Sequence, residues 1–202
     1  MILSDSAILQ AIEKNEIVIE PFERKCLGSN SYDVHLSENF AVYAGFTSLV
    51  YGEDDKAVNM GMDKNYMNNF PLNAKENNPV FHFKISEEGF ILRPGILYLA
   101  STVEYTETHG YVPFIDGKSS TGRLGISIHV TAGRGDSGFK GHFTLEISVV
   151  QPVKVFPGMP IGQLIYHTIQ GEVLQPYSAK PTAKYNNTDP KPIASQMYKN
   201  FE

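Results

Sequence analysis

Residues 117–125 read GKSSTGRLG, residues 129–139 read HVTAGRGDSGF, and residues 144–147 read TLEI. Apolar residues on both sides of the glycines alternate with polar ones, which is the period-two pattern of half-buried strands. The glycines allow tight turns and a close approach of the backbone to a ligand. We therefore expect polar groups at strand ends and on turns, pointing into one shared site. The alternating apolar positions are Ile126, Ile128, Val130, Phe143, Leu145 and Ile147.

The rest of the chain predicts an all-β protein, a barrel or a sandwich, with one short N-terminal helix. Ser4 or Asp5 can cap that helix, and Asn15 is expected to end it. Many short strands with frequent turns are typical of barrels and sandwiches. Strands are expected near residues 32–36, 80–85, 96–103 and 161–169, and proline–glycine turns at 93–95 and 156–158.

The length of 202 residues predicts a single domain over residues 1–202. Residues at about 45–80 form an excursion rich in Gly, Asn, Asp and Pro, with a partly helical piece expected around residues 63–69. The tail at about 177–202 has few apolar residues, so we expect it to be flexible unless a ligand or a partner orders it.

Composition narrows the class of protein. The formal net charge of −5 argues against a general nucleic-acid binder, although a local basic cluster can still bind an anion. No apolar run is long enough to cross a membrane, and no secretory signal is evident, so no membrane partner is expected. The single cysteine, Cys26, excludes an intrachain disulfide and fits the cytoplasmic location that we expect.

The quoted stretch resembles the dCTP deaminase branch of the dUTPase-like family. The same family is matched by MILSD at residues 1–5, NSYDV at 30–34 and GQL at 162–164, and in the tail by Tyr177 and Lys184. The resemblance implies a distorted β-barrel that forms homotrimers, with sites built between subunits. It also implies hydrolytic deamination of dCTP to dUTP and ammonia, which supplies precursors of dTMP.

Glu146 is the first candidate for a catalytic residue. From the residues alone, it is either a solvent-facing strand residue or the partner of Arg123 in an ion pair. The resemblance instead implies a general base, which takes a proton from the water that attacks C4 of cytosine and returns it later. It further implies that Ser119 and the Ala132 carbonyl hold this water and that Arg123 supports the charge.

A zinc-free site is expected. Zinc-dependent nucleobase deaminases carry a His-x-Glu and a Pro-Cys-x-x-Cys signature, and the chain has neither. His129 and His142 have no clear third ligand, so they are interpreted as hydrogen-bonded barrel residues. Mg²⁺ is expected on the substrate triphosphate, held mainly by phosphate and water.

The remaining candidates concern nucleotide binding. Lys118, Ser119, Ser120 and Arg123 place several donors in one short segment, which suits a polyphosphate, although the order of a Walker loop is absent. Asp136 is either a turn residue or, by resemblance, a contact to the sugar. The resemblance adds tail residues that close over the nucleotide. The full set is Lys118, Ser120, Val130, Thr131, Arg134, Asp136, Tyr177, Lys184 and Thr188.

Two positions depart from the family pattern. Thr188 stands where a glutamine is usual, which puts one phosphate or base contact in doubt. Gly135 stands where a bulkier apolar residue is common, and its small size predicts a looser sugar pocket or loop.

Three other functions remain open. A bifunctional enzyme would also hydrolyse the triphosphate and give dUMP and pyrophosphate, with dUTP as a second ligand. A catalytically silent module could sense nucleotides such as dTTP on the same barrel, although Ser119, Arg123 and Glu146 argue against it. A plain dUTPase is disfavoured because Phe139 stands where that enzyme would carry tyrosine.

Overall fold

The computed structural model describes residues 1–43, 71–186 and 188–202. The helical piece expected around residues 63–69, and most of the excursion at 45–80, lie outside the described residues. Within the described part, residues 71–79 form loops and turns that lead into a strand.

Short strands connected by turns make up most of the described chain. The helices are α1 (Asp5–Glu13) and α2 (Ser119–Arg123), with 3₁₀ helices at Arg24–Cys26, Tyr177–Ala179 and Met197–Asn200. The strands are β1 (Ile17–Glu20), β2 (Tyr32–Tyr43), β3 (Val80–Lys84), β4 (Phe90–Leu92), β5 (Tyr98–Thr108), β6 (Tyr111–Gly117), β7 (Ile126–Ser127), β8 (Lys140–Val149), β9 (Val153–Val155) and β10 (Pro160–Thr168).

One large antiparallel sheet organises these strands. Its order is β6-β10-β2-β5-β8-β7, and β1 and β3 pair with β5 and β2 beside this path. Strands β4 and β9 form a separate two-stranded sheet. The predicted all-β architecture with a short N-terminal helix is confirmed. No helix in the described part of the chain is long and apolar enough to span a bilayer.

Strand β8 shows how the sequence separates the two faces of the large sheet. Phe143, Leu145 and Ile147 are buried in the core, whereas the residues between them are only half-buried on the outer face. Because successive side chains of a strand point to opposite faces, Glu146 is turned away from the core. Across the ladder, Glu146 pairs with Leu99 of β5. The outer-face residues of β8 are Lys140, His142, Thr144, Glu146 and Ser148.

Helix α1 begins and ends where the sequence predicts. The Ser4 side chain accepts a hydrogen bond from the Ala7 backbone N–H at 3.4 Å, which caps the first turn. Asn15 adopts a left-handed conformation with φ of 57°, which ends the helix. Ile8 and Ala11 are the buried residues of this helix, so it packs one apolar face on the barrel.

The glycine-rich stretch at residues 117–139 differs locally from the prediction. The strand predicted around residues 126–130 is limited to Ile126–Ser127, and Val130 is exposed. Val130 leaves the ladder because its N–H bonds to the Glu146 side chain instead of a strand backbone. The serines predicted in a turn begin the short helix α2.

The C-terminal tail lies across the outer face of the large sheet. The Ile193 N–H donates to Thr144 Oγ1 at 3.0 Å, and the Ser195 N–H donates to the Tyr43 hydroxyl at 3.3 Å. Ala194 packs against a small apolar cluster of Ala41, Tyr43 and Leu99. The tail thus has a defined place on the barrel, and its expected flexibility before nucleotide binding stays a prediction.

The base of the tail rests on the turn at residues 136–138. Tyr177 N–H donates to the Ser137 carbonyl at 2.8 Å. Gly138 has a φ of +88°, and a Cβ there would lie 2.7 Å from Pro176 Cβ and 2.9 Å from Tyr177 N. The close approach of the tail therefore requires glycine at this position.

Replacing Gly138 by alanine should loosen the tail. Gly138→Ala combines the left-handed backbone penalty, roughly 1–2 kcal/mol, with a clash against Pro176 and Tyr177. Gly171→Ala is the matched control, because Gly171 also has a φ of +88° but has open space around it. Thermal unfolding and limited proteolysis should show a larger loss for Gly138→Ala, with new cleavage in the tail. Equal losses in both variants would show that the tail does not depend on this contact.

Candidate active site

A pocket of about 810 Å³ lies between the outer face of β8, the loop at residues 130–136 and the C-terminal tail. Strand β8 contributes His142, Thr144 and Glu146 to the pocket. Leu97 and Leu99 form an apolar part of the wall, together with residues of the tail. The tail residues that line the pocket are Tyr177, Thr182, Lys184, Tyr185, Ile193, Ala194, Ser195 and Met197.

The structure brings most of the predicted site residues together around this pocket. The loop and the tail place seven of them beside Glu146, although these residues lie far apart in the sequence. These residues are Val130, Thr131, Ala132, Arg134, Asp136, Tyr177 and Lys184. The pocket therefore contains the predicted base together with much of the predicted nucleotide contact set.

Five predicted residues do not line this pocket within one chain. Thr188 is exposed and lies in the tail outside the pocket wall. The other four are the N-cap of α2 and three exposed residues of that helix, and no ion pair joins Arg123 to Glu146 among the described residues. These four are Lys118, Ser119, Ser120 and Arg123.

Glu146 also fixes the loop that faces it. Its Oε2 accepts a hydrogen bond from the Val130 N–H at 2.9 Å, and its own N–H donates to the Ile128 carbonyl at 2.9 Å. Both the side chain and the backbone of Glu146 therefore hold the chain just before Ala132.

Two glycines attach the far side of the same loop to β6. Ile115 N–H donates to the Gly133 carbonyl at 2.6 Å, and Gly135 N–H donates to the Pro113 carbonyl at 2.8 Å. A Cβ on Gly133 would lie 2.3 Å from the Ile115 carbonyl oxygen, so only glycine fits. This attachment holds Ala132 at the edge of the pocket, opposite Glu146.

Gly135 lines the pocket with two side chains close to its backbone, and the looser sugar pocket or loop expected from its size stays a prediction. An added Cβ would lie 3.0 Å from Pro113 Cγ and 3.5 Å from Phe143 Cζ. Neighbouring side chains therefore already fill the space beside this glycine, and its small size allows the loop to approach β6.

Asp136 stands at the rim of the pocket and faces the tail. Its Oδ2 lies 3.6 Å from Lys180 Nζ, and both side chains are partly exposed. An exposed ion pair of this kind contributes at most about 1 kcal/mol, so Asp136 remains available to a ligand. Next to it, Ser137 and Gly138 are buried beneath the tail.

The predicted phosphate-binding segment is held in place by contacts of Lys118 and Thr121. Lys118 is the N-cap of α2, and its ammonium lies 2.5 Å from Asp33 Oδ1 of β2. The hydroxyl of Thr121 accepts from Lys118 N–H at 3.2 Å and donates to the Lys118 carbonyl at 2.8 Å. These contacts turn Ser119 and Ser120 outward, where both are exposed.

The two histidines occupy different surroundings. His142 Nδ1 donates to the Thr102 carbonyl at 3.1 Å, as expected for a hydrogen-bonded barrel residue. His129 Nε2 lies 3.7 Å from Asp116 Oδ1, and its Nδ1 is buried without a hydrogen-bond partner among the described residues. Among all the residues that the structure describes, no group of three or more His, Cys, Asp or Glu side chains could hold a metal ion.

An ionised carboxylate lies near the His142 end of the pocket floor. Hydrogen bonds from the Tyr105 hydroxyl at 2.7 Å and from Lys140 Nζ at 2.9 Å lower the pKa of Glu107 to about 2. Burial, followed by the contact with Glu107, raises the pKa of Tyr105 to about 12. The Lys140 charge is thus neutralised by Glu107, and the Tyr105 and His142 rings pack against each other in an edge-type arrangement.

Sequence reasoning missed several residues that line the pocket. Thr144 could have been found from the period of β8, because it alternates onto the same face as Glu146. Leu99, Tyr43 and Ile193 give no local signal, since they reach the pocket only through strand pairing and the path of the tail.

The antiparallel strands and the pocket on their outer face define a β-barrel protein whose fold is similar to that of a solved deaminase. A solved structure of this fold is the 2'-deoxycytidine 5'-triphosphate deaminase from Agrobacterium tumefaciens, with a TM-score of 0.55 and 22% identity. The similarity covers 83% of this chain and 48% of that chain, so the chain spans about half the length of the solved protein. At this identity the likeness shows the fold alone.

Sequence comparison shows the family. The family model for dCTP deaminase-like proteins matches residues 2–169, and the chain belongs to this family. A relative from Leptospira biflexa is 44% identical over 202 residues, covering 100% of this chain and 99% of its own. A relative from Clostridium beijerinckii is 45% identical over 203 residues, with the same coverage. Both relatives are named "dCTP deaminase, dUMP-forming".

Proposed function

We propose that this protein deaminates dCTP and also hydrolyses the triphosphate, releasing dUMP, pyrophosphate and ammonia. The observation that carries the proposal is the placement of Glu146 in a pocket, opposite the 130–132 loop that its own carboxylate holds. The names of the full-length relatives support dUMP as the product. Of the two products expected from the sequence, the relatives thus favour the bifunctional alternative over release of dUTP.

Deamination requires a water to attack C4 of cytosine and a proton to reach the leaving ammonia. In the proposed reaction Glu146 takes one proton from this water and delivers it to N3 of the ring. It then transfers the proton of the new C4 hydroxyl to the amino group, which leaves as ammonia while the C4 carbonyl forms. The Ala132 carbonyl, at the pocket edge, accepts a hydrogen bond from the water. Ser119 completes the water site, and Arg123 supports the charge. No protein-bound zinc takes part in the proposed mechanism.

The second half of the reaction is hydrolysis of the triphosphate. A second water attacks the α-phosphorus. The bond from this phosphorus to the oxygen that bridges to the β-phosphate breaks, and pyrophosphate leaves. Lys118, Ser119, Ser120 and Arg123 are the donors proposed to bind the phosphate oxygens. The substrate is proposed to be the Mg²⁺–nucleotide complex, whose cation neutralises charge on the phosphates.

The proposed active site is shared between subunits of a homotrimer. The pocket with Glu146 does not include Lys118, Ser119, Ser120 or Arg123 of the same chain. These four residues are the N-cap and three members of the short helix α2, and the three helix residues are exposed, so a second copy can approach them. Beside them, Leu124 and Val150 are 47% and 79% exposed, an apolar surface that an interface would cover.

Analysis of the products formed from dCTP tests the function directly. Incubation with Mg²⁺ and dCTP should yield dUMP, pyrophosphate and ammonia in equal amounts, detected by chromatography and a coupled ammonia assay. Accumulation of dUTP with ammonia would show that only the deaminase activity is present. Binding of dCTP without any product would contradict catalysis and favour a nucleotide sensor.

Glu146→Gln should retain the fold and bind nucleotide while losing turnover. The amide oxygen can still accept from Val130 N–H, but it cannot take a proton from water. We expect a fall in kcat of at least about 100-fold, the lower end for general acid–base catalysis. Glu88→Gln is the control, since Glu88 is an exposed carboxylate outside the pocket. Near-normal turnover in Glu146→Gln would remove Glu146 from the mechanism.

Mixing two inactive variants tests whether the site is shared. Glu146→Gln chains and Arg123→Ala chains, unfolded and refolded together in equal amounts, should form mixed trimers. About a quarter of the sites should regain both residues, because each residue then has an even chance of coming from an intact chain. Mixing Glu146→Gln with Glu146→Ala is the control and should restore nothing. A monomeric mass by light scattering, with full activity, would rule out the shared site.

A further inference from the structure

Four backbone N–H groups of the tail donate hydrogen bonds to tyrosine hydroxyls. The Tyr177 hydroxyl accepts from Lys184 N–H and from Tyr185 N–H, each at 3.0 Å. The Tyr185 hydroxyl accepts from Gln196 N–H at 3.1 Å. The Tyr43 hydroxyl, at the end of β2, accepts from Ser195 N–H at 3.3 Å.

These hydrogen bonds take the place of the backbone–backbone hydrogen bonds that a helix or a strand would make. Residues 180–186 and 188–196 have no helix or strand that would pair their backbone groups. A phenolic oxygen can accept from such N–H groups, and its rigid ring has only two torsions to fix. Tyrosine is therefore well suited to hold an irregular segment at a defined distance from the sheet.

We propose that the hydroxyls of Tyr177, Tyr185 and Tyr43 are positioning groups that hold the C-terminal segment as one wall of the Glu146 pocket. This inference rests on the proposed function, because it assigns the wall to dCTP binding. Lys184 and Tyr185, whose backbones are held in this way, both line the pocket, as does Ser195.

The tyrosine hydroxyls hold successive parts of the tail, one after another along the pocket wall. Tyr177 lies at the base of the tail, directly after the contact with Gly138, and its ring packs against the core. Its hydroxyl fixes Tyr185, whose own hydroxyl fixes Gln196 near the end of the chain. Tyr43 then ties the neighbouring Ser195 to the sheet. Each hydroxyl thus restricts the position of the next segment of the tail that forms the pocket wall.

This role for Tyr177 differs from the role that the family resemblance implies. A tyrosine that offers only its aromatic face to a nucleotide is replaced well by phenylalanine, because the ring is unchanged. A tyrosine whose hydroxyl holds the backbone of Lys184 loses its role in the same substitution. Tyr177→Phe therefore separates the two roles without removing the ring from the wall.

The test compares Tyr177→Phe, Tyr185→Phe and Tyr43→Phe with the full-length wild type. Tyr198→Phe is the matched control, a tyrosine of the same tail that takes no part in these hydrogen bonds. Residue-resolved hydrogen exchange without nucleotide reports the hydroxyl contacts themselves. The KM and kcat for Mg²⁺–dCTP report their effect on the site, and thermal unfolding reports the barrel.

We expect exchange at the amides held by each tyrosine to rise by about 2- to 12-fold, the factor that corresponds to one net hydrogen bond. The KM for dCTP should rise within the same range, while the midpoint of unfolding and kcat change little. Tyr198→Phe should behave as wild type. If one variant fails to fold, the other two provide the same measurements.

Two results would overturn the proposal. Unchanged exchange at Lys184, Tyr185, Ser195 and Gln196 would show that the hydroxyls do not hold the tail. Faster exchange with an unchanged KM would show that the held segment does not position the nucleotide. If the wild type does not turn dCTP over, the proposed function fails. In that case the exchange rates, with the affinity for dCTP in place of KM, still decide the positioning role.

Discussion

The hydrogen bond from the Val130 N–H to Glu146 is the contact on which the site depends. Glu146 lies on the outer face of β8, where a carboxylate could simply face water. By accepting from Val130, it draws the chain out of the β7 ladder and over the strand. The loop that results carries Ala132 and the following residues to the pocket edge. The residue proposed as the general base therefore also builds the wall opposite itself.

Glycines complete this arrangement by permitting close approach on both sides of the pocket. Gly133 lets the loop come against the Ile115 carbonyl of β6, and Gly138 lets the tail rest on the 136–138 turn. A side chain at either position would collide with backbone atoms, which cannot move aside easily. The glycine-rich composition of the stretch is thus explained by contacts between backbones, in addition to any contact with a ligand.

The proposed trimer would explain why the two predicted residue groups are separated within one chain. Glu146 and the loop lie in the pocket, whereas Lys118, Ser119 and Arg123 lie on α2 and its N-cap. In the proposed reaction the second group binds the polyphosphate and the first acts on the cytosine ring. In the proposed trimer the two groups face each other only across an interface, so assembly would be a condition for activity.

Local sequence patterns predicted most of the strands, the caps of α1 and the face of β8 on which Glu146 lies. These features follow from local rules, because side chains alternate along a strand and Ser4 and Asn15 act on neighbouring turns. The family could also be identified from the sequence, since the central motifs are contiguous. The path of the tail across the outer face, and the positions of Tyr43 and Leu99 at the pocket, became visible only in the folded chain. These contacts join residues far apart in the chain, and their geometry depends on strand pairing and backbone approach that no local pattern records.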